Sequence, residues 1–97
     1  MLFLAQYQVE LDQVETAMAK RLEFEEFKPD DLKIVCESNW HGTSTALGGF
    51  FVFEAEDVSA LNFLVLYYGK TLRLDIRPCS DVLSAIATTR ASLAKMG

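Results

Sequence analysis

Apolar and polar positions alternate with a period of two in four stretches and recur at helical spacing in three. Residues 2–9 carry Phe3, Ala5, Tyr7 and Val9 on one side and Leu2, Leu4, Gln6 and Gln8 on the other. Both sides begin apolar, which predicts an interior strand covered on both faces. Asp12, with Glu15 three residues on, is a capping pattern. Behind it Val14, Met18 and Leu22, joined by Leu11 and Ala17, form an apolar helical stripe. That helix is expected to stop before Pro29, with Phe24 and Phe27 closing the core from below. Residues 32–39 set Ile34, Cys36 and Ser38 against Lys33, Val35, Glu37 and Asn39, the one-sided polarity of an edge strand. The small and hydroxyl residues of 41–48 read as a long hairpin connection. Residues 49–55 are again apolar on both sides, with Phe51, Phe53 and Ala55 opposite Phe50, Val52 and Glu54. Asp57 is placed to cap a helix over 58–68 with a stripe of Leu61, Leu64, Val65 and Tyr68, ended by a left-handed Gly69. Strand 71–77 alternates Leu72, Leu74 and Ile76 with Thr71, Arg73, Asp75 and Arg77, and Pro78 is expected to stop it. A last helix, roughly 81–95 and capped by Ser80, carries Val82, Leu83, Ile86 and Leu93.

The order β-α-β-β-α-β with an added C-terminal helix is the ferredoxin-like, split βαβ arrangement, an α+β fold on an antiparallel four-stranded sheet. Its first and third strands are central and its second and fourth are edges. The two strands that are apolar on both faces occupy the central places, so pattern and topology agree. Two helices cover one face only, so Leu2, Leu4, Phe50 and Val52 face away from them. Leaving four such side chains wet forgoes about 1.5–3 kcal/mol each and exposes an unusually large patch. The expected cover is the same face of a second copy, a two-fold homodimer; the alternative is the terminal helix folded across it.

Ninety-seven residues make one domain, with half of them hydrophobic. Nine basic against fourteen acidic residues give a charge of −5. No basic face of the kind that displaces counterions from phosphates is available, so nucleic acid is not an expected partner. The apolar start Met1–Ala5 turns polar at Gln6 and is too short for a signal core or a membrane helix. Cys36 and Cys79 are isolated and read as reduced thiols, which places the chain in the cytoplasm.

Four features carry a family resemblance: the short N-terminal strand, Asn39-Trp40-His41-Gly42 leaving the second strand, the run Gly48 to Asp57 (GGFFVFEAED), and Arg77-Pro78. Together they resemble a bacterial domain family of unknown function within the dimeric α+β barrel superfamily, over most of the chain up to about Ser80. The resemblance implies a barrel formed by two paired sheets. Related families include cofactor-free monooxygenases, haem-degrading enzymes and isomerases, which implies a site in the cavity between sheet and helices.

Candidate chemistry gathers where the second strand ends. His41 titrates near neutrality and, beside Trp40 and Asn39, is the candidate catalytic base or ligand contact. Asn39, Trp40, Arg73 and Arg77 are the expected ligand-binding residues. A polar set on the far face (Gln6, Gln8, Glu37, Glu54, Arg73, Asp75, Arg77) reads chiefly as solvated edge and cross-dimer pairing, with recognition of a small polar ligand as the alternative. One histidine without metal-ligand spacing predicts no metal site, and Gly48-Gly49 precede a strand rather than the helix a phosphate cradle opens. No cofactor is expected; haem on His41 has only the superfamily analogy behind it. The leading expectation is a small-molecule binder. A cofactor-free monooxygenase or isomerase using His41 and a protein-interaction module are the alternatives.

Overall fold

The computed structural model describes residues 1–40 and 46–97, with the side chains of Trp40 and Ala46 excepted. Strand β1 (Leu2–Glu10) leads through a 3₁₀ turn at Leu11–Gln13 into helix α1 (Val14–Phe27). Strands β2 (Lys33–Trp40) and β3 (Ala46–Glu54) follow, then helix α2 (Ser59–Tyr68), strand β4 (Arg73–Cys79) and helix α3 (Val82–Met96). The four strands form one antiparallel sheet in the order β2-β3-β1-β4. The ferredoxin-like fold is therefore present, with the doubly apolar strands at its centre.

One layer of core lies between the sheet and α1 and α2. Phe3, Ala5, Phe51 and Phe53 from the central strands are buried against Phe24 of α1 and Ala60, Leu64 and Tyr68 of α2. Phe3 stacks on Phe53 at 5.2 Å, and Phe24 meets Phe63 and Tyr67 edge-on at 5.9 Å. The helices are clamped reciprocally: Lys20 Nζ donates to the Tyr67 carbonyl at 2.9 Å, and the Tyr67 hydroxyl donates to the Lys20 carbonyl. Gly69 has φ +51°, the backbone region that favours glycine, where α2 stops.

Several local expectations are corrected. Asp12 lies in the 3₁₀ turn and caps nothing. Asp81 rather than Ser80 caps α3, accepting from Ser84 N at 3.0 Å. Pro78 pairs within β4 opposite Phe3, which an edge strand permits because its missing N–H would face outward. The apolar stripe of α1 is rotated: Val14, Ala17 and Phe24 turn toward the sheet, whereas Met18 and Leu22 are exposed and so is Phe27. Val65 of α2 is exposed too, so the buried positions of that helix are Ala60, Leu64 and Tyr68.

The largest correction is in β2. Ile34 pairs with Phe53 and Cys36 with Val52, so Val35 is an extra residue, a β-bulge. A bulge exchanges the two faces beyond it. Glu37 and Asn39 therefore pair with Phe51 and Gly49 and share the helix side, while Cys36 and Ser38 sit opposite Val52 and Phe50 on the open side. The far-face polar set loses Glu37 for this reason and keeps its other members, since Gln6, Gln8, Glu54, Arg73, Asp75 and Arg77 are in register with the open face.

Because Val35 is the surplus residue, its deletion should straighten β2 without changing what faces the helices. Deleting Ser38 instead would turn Asn39 outward. Urea unfolding should show the Val35 deletion losing about 1 kcal/mol or less and the Ser38 deletion distinctly more. Equal losses would contradict the bulge.

Candidate functional site

The bulge, a glycine and a short arm of α1 build one cavity. Tyr7 of β1, Gly49 of β3 and Asn39 of β2 lie in one row across the sheet. A Cβ at Gly49 would collide with the Ser38 carbonyl and the Tyr7 ring. Only glycine there lets Tyr7 lie across β3 and donate its hydroxyl to Asn39 Oδ1. One turn of sheet away, Arg21 of α1 grips Glu37 with two hydrogen bonds, Nε to Oε2 at 2.9 Å and Nη2 to Oε1 at 2.5 Å. A bidentate pair of this kind holds both side chains in a fixed plane.

These groups line one side of a cavity of about 580 Å³ between α1 and the sheet. The remaining wall is largely apolar, with Val9, Val14, Met18, Leu22, Phe51 and Leu72. Its mouth is apolar as well: Leu22 is 85% exposed, and Met18 and Leu47 are exposed beside it. A pocket of several hundred Å³ with apolar walls and a few converging polar groups is the usual form of a small-molecule site.

The charges inside cancel. Arg21 and Glu37 are the charged residues of the lining among the described residues, and they are bonded to each other. The hydrogen bond from Arg21 holds the Glu37 carboxyl below the ordinary glutamate range, against some opposing desolvation. Tyr68 is pushed up to about 12, chiefly by burial, and Tyr7 is raised by burial and by the nearby Glu37 charge. Both phenols therefore stay protonated at neutral pH and offer neutral O–H groups rather than a phenolate base.

Of the residues singled out from sequence, Asn39 lies in this cavity. His41 lies outside the described residues, and so does the Trp40 side chain, although the Trp40 backbone pairs with Gly48. Arg73 and Arg77 are on the opposite face of the sheet: Arg73 reaches Glu10 at 3.7 Å and Arg77 reaches Asp75 at 3.1 Å. The structure does not bring them together with Asn39. Glu37 was placed in the far-face polar set, and the bulge brings it to this cavity instead; Tyr7, Arg21 and Tyr68 were not singled out as a site. The signal that could have found them is Arg21, a charged residue one turn from Phe24 on the helix face turned to the sheet. Among the described residues no group of His, Cys, Asp and Glu side chains could hold a metal, and no helix is long and apolar enough to cross a membrane. Cys36 and Cys79 are free and exposed.

An α+β, ferredoxin-like chain with an apolar cavity behind its sheet is the class that fold and site define. Residues 1–93 match the family described as "Domain of unknown function (DUF3303)", and the chain belongs to that family. No curated protein matches it.

The Arg21–Glu37 pair has a pH signature. A carboxyl whose pKa is depressed by folding stabilises the native state above the unfolded value, about 4.3 for glutamate, and that stabilisation is lost as pH falls through the folded value. Glu37→Gln should therefore be less stable than the wild type at pH 7, with the gap narrowing as pH falls below about 4. Urea midpoints at the two pH values check this; a gap that is unchanged or widens in acid would contradict it.

Proposed function

We propose that this protein binds a small, neutral, largely apolar molecule in the cavity between α1 and the sheet, and that it does so as a homodimer in the cytoplasm. The observation that carries the reading is the cavity itself: about 580 Å³, walled by Phe51, Met18, Leu22 and Leu72, with Tyr7, Asn39 and Tyr68 converging on it. Because Arg21 and Glu37 satisfy one another, the lining formed by the described residues presents no net charge to a ligand. An anion would have to break a bidentate pair, whereas a ring or hydrocarbon body with one hydroxyl or carbonyl would meet apolar walls and neutral hydrogen-bonding groups.

The homodimer reading is supported by the open face of the sheet. Leu2, Leu4, Phe50 and Val52 line it, each half-buried in the single copy, and α3 is exposed along its whole length. A second copy's sheet offers a self-complementary cover with the polar Gln6, Gln8, Arg73 and Asp75 at its margin. The free thiols Cys36 and Cys79 suit a reducing compartment.

A thermal-shift screen of neutral aromatic and terpenoid-like compounds should raise the melting temperature of the wild type, because a ligand bound only to the native state stabilises it by mass action. Ala17→Phe, which fills the cavity from α1, should abolish the shift while remaining folded. Shifts only with anionic compounds, or equal shifts in Ala17→Phe, would contradict the reading.

Light scattering should give twice the chain mass for the wild type and a folded monomer for Phe50→Glu, which puts a charge on the open face. A monomeric wild type at micromolar concentration would sink the dimer.

A further inference from the structure

Two of the three tyrosine hydroxyls are engaged inside the protein. Tyr7 donates to Asn39 Oδ1 and Tyr67 to the Lys20 carbonyl. The Tyr68 hydroxyl makes no hydrogen bond to the described residues, although Tyr68 is 5% exposed. Nor is it sealed away. Among the described residues no fully buried side-chain oxygen or nitrogen lacks a partner, so this oxygen opens into the cavity that Tyr68 lines.

Packing fixes where it points. Phe24 of α1 stacks on the Tyr68 ring at 6.4 Å, and Tyr67 meets it edge-on at 5.0 Å. A phenol oxygen lies on the axis of its ring, so a ring held on two sides has an aimed hydroxyl. Arg21, Glu37 and Tyr7 all act on its ionisation, which puts the oxygen on the side of the other polar groups of the lining. Those groups are wetter. The Arg21 and Glu37 side chains are 39% and 45% exposed, Asn39 is exposed and Tyr7 is half-buried. Tyr68 is thus the most deeply buried polar group of the described lining, with Met18 and Leu22 exposed at the mouth.

For folding alone this arrangement is unfavourable. The hydroxyl loses hydration without gaining a partner, and phenylalanine would keep both ring contacts. Tyr67, the preceding residue, shows the structural use of such a group, since its hydroxyl ties α2 to α1. What the Tyr68 hydroxyl lacks is an atom supplied from the cavity. Burial pushes its pKa up to about 12, so the proton stays in place at neutral pH. A phenol donates more readily than it accepts, because its lone pairs are shared with the ring. The atom it meets is therefore an acceptor. A carbonyl oxygen accepts and brings no hydrogen of its own, whereas an alcohol brings an O–H that needs a second partner at the same depth.

We propose that Tyr68 determines the specificity of this cavity by donating its hydroxyl hydrogen to the carbonyl oxygen of a neutral ketone, aldehyde or ester, whose apolar body extends toward Met18 and Leu22. The ligand class rests on the cavity reading above; the unpartnered hydroxyl does not.

Two measurements on the full chain test this. The first needs no ligand. Urea midpoints should put Tyr68→Phe at or above the wild type and Tyr67→Phe below it, since the latter loses a hydrogen bond. A loss in Tyr68→Phe as large as that in Tyr67→Phe would mean that the hydroxyl is already paired, and would overturn the proposal. The second measures displacement of the neutral dye N-phenyl-1-naphthylamine by methyl naphthyl ketone, by the alcohol made on reducing it, and by ethylnaphthalene, all substituted at the same ring carbon. From wild type to Tyr68→Phe, the affinity of the ketone relative to the hydrocarbon should fall about tenfold, and that of the alcohol by clearly less. An equal fall for the alcohol would overturn the carbonyl class. Dye binding with an unchanged ketone-to-hydrocarbon ratio would overturn the role of Tyr68 and leave the cavity reading standing. A wild type that neither binds the dye nor is stabilised against heat by the ketone would sink the cavity reading and the ligand class with it.

Discussion

The extra residue in β2 is the constraint on which the site depends. A strand has only two faces, and every residue after a bulge changes side. Val35 takes no place in the pairing, and so Glu37 and Asn39 reach the helix layer instead of the open face. Arg21 then has a carboxylate to hold and Tyr7 has an amide oxygen to donate to, at the edge of the hollow between α1 and the sheet. The cavity is thus edged by polar residues that the bulge turns to the helix side, where they satisfy one another while staying partly in contact with solvent.

Gly49 is the second part of the same device. It removes a side chain from the inner face at the one place where Tyr7 must cross β3 to meet Asn39. An aromatic ring laid over a strand glycine covers its backbone and stiffens the register. The rotation of α1 belongs to this picture as well. With Arg21 directed at Glu37, the helix turns Val14, Ala17 and Phe24 inward and leaves Met18 and Leu22 at the rim.

Much of the fold was legible from periodicity. The doubly apolar runs around Phe3 and Phe51 announced the central strands, the clean alternation through Leu72, Leu74 and Ile76 an edge, and Gly69 the end of α2. The bulge was not legible, because Ile34, Cys36 and Ser38 alternate as a regular strand would and Val35 is as apolar as its neighbours. The face of α1 was misread for a related reason. Spacing shows which residues share a stripe, but only the neighbouring element decides which stripe is buried, and here Phe24, packed on Phe63, Tyr67 and Tyr68 of α2, lies on the buried one. Of the site, Asn39 was found, Glu37 was assigned to the far face because the bulge was not foreseen, and Tyr7, Arg21 and Tyr68 were not singled out, since none is unusual until the bulge brings them together. His41, the residue with the most evident chemistry in the sequence, lies outside the described residues and enters none of this.

The central claim is that the hollow behind the sheet receives a neutral apolar molecule. Its most direct test is a ¹⁵N–¹H correlation spectrum recorded with increasing N-phenyl-1-naphthylamine. The account predicts shifts concentrated at the amides of Tyr7, Asn39, Gly48, Gly49 and the first turns of α1, with those of Asp75 and Arg77 unmoved. Shifts centred on the open face of the sheet, or none at all at concentrations where the dye is soluble, would contradict it.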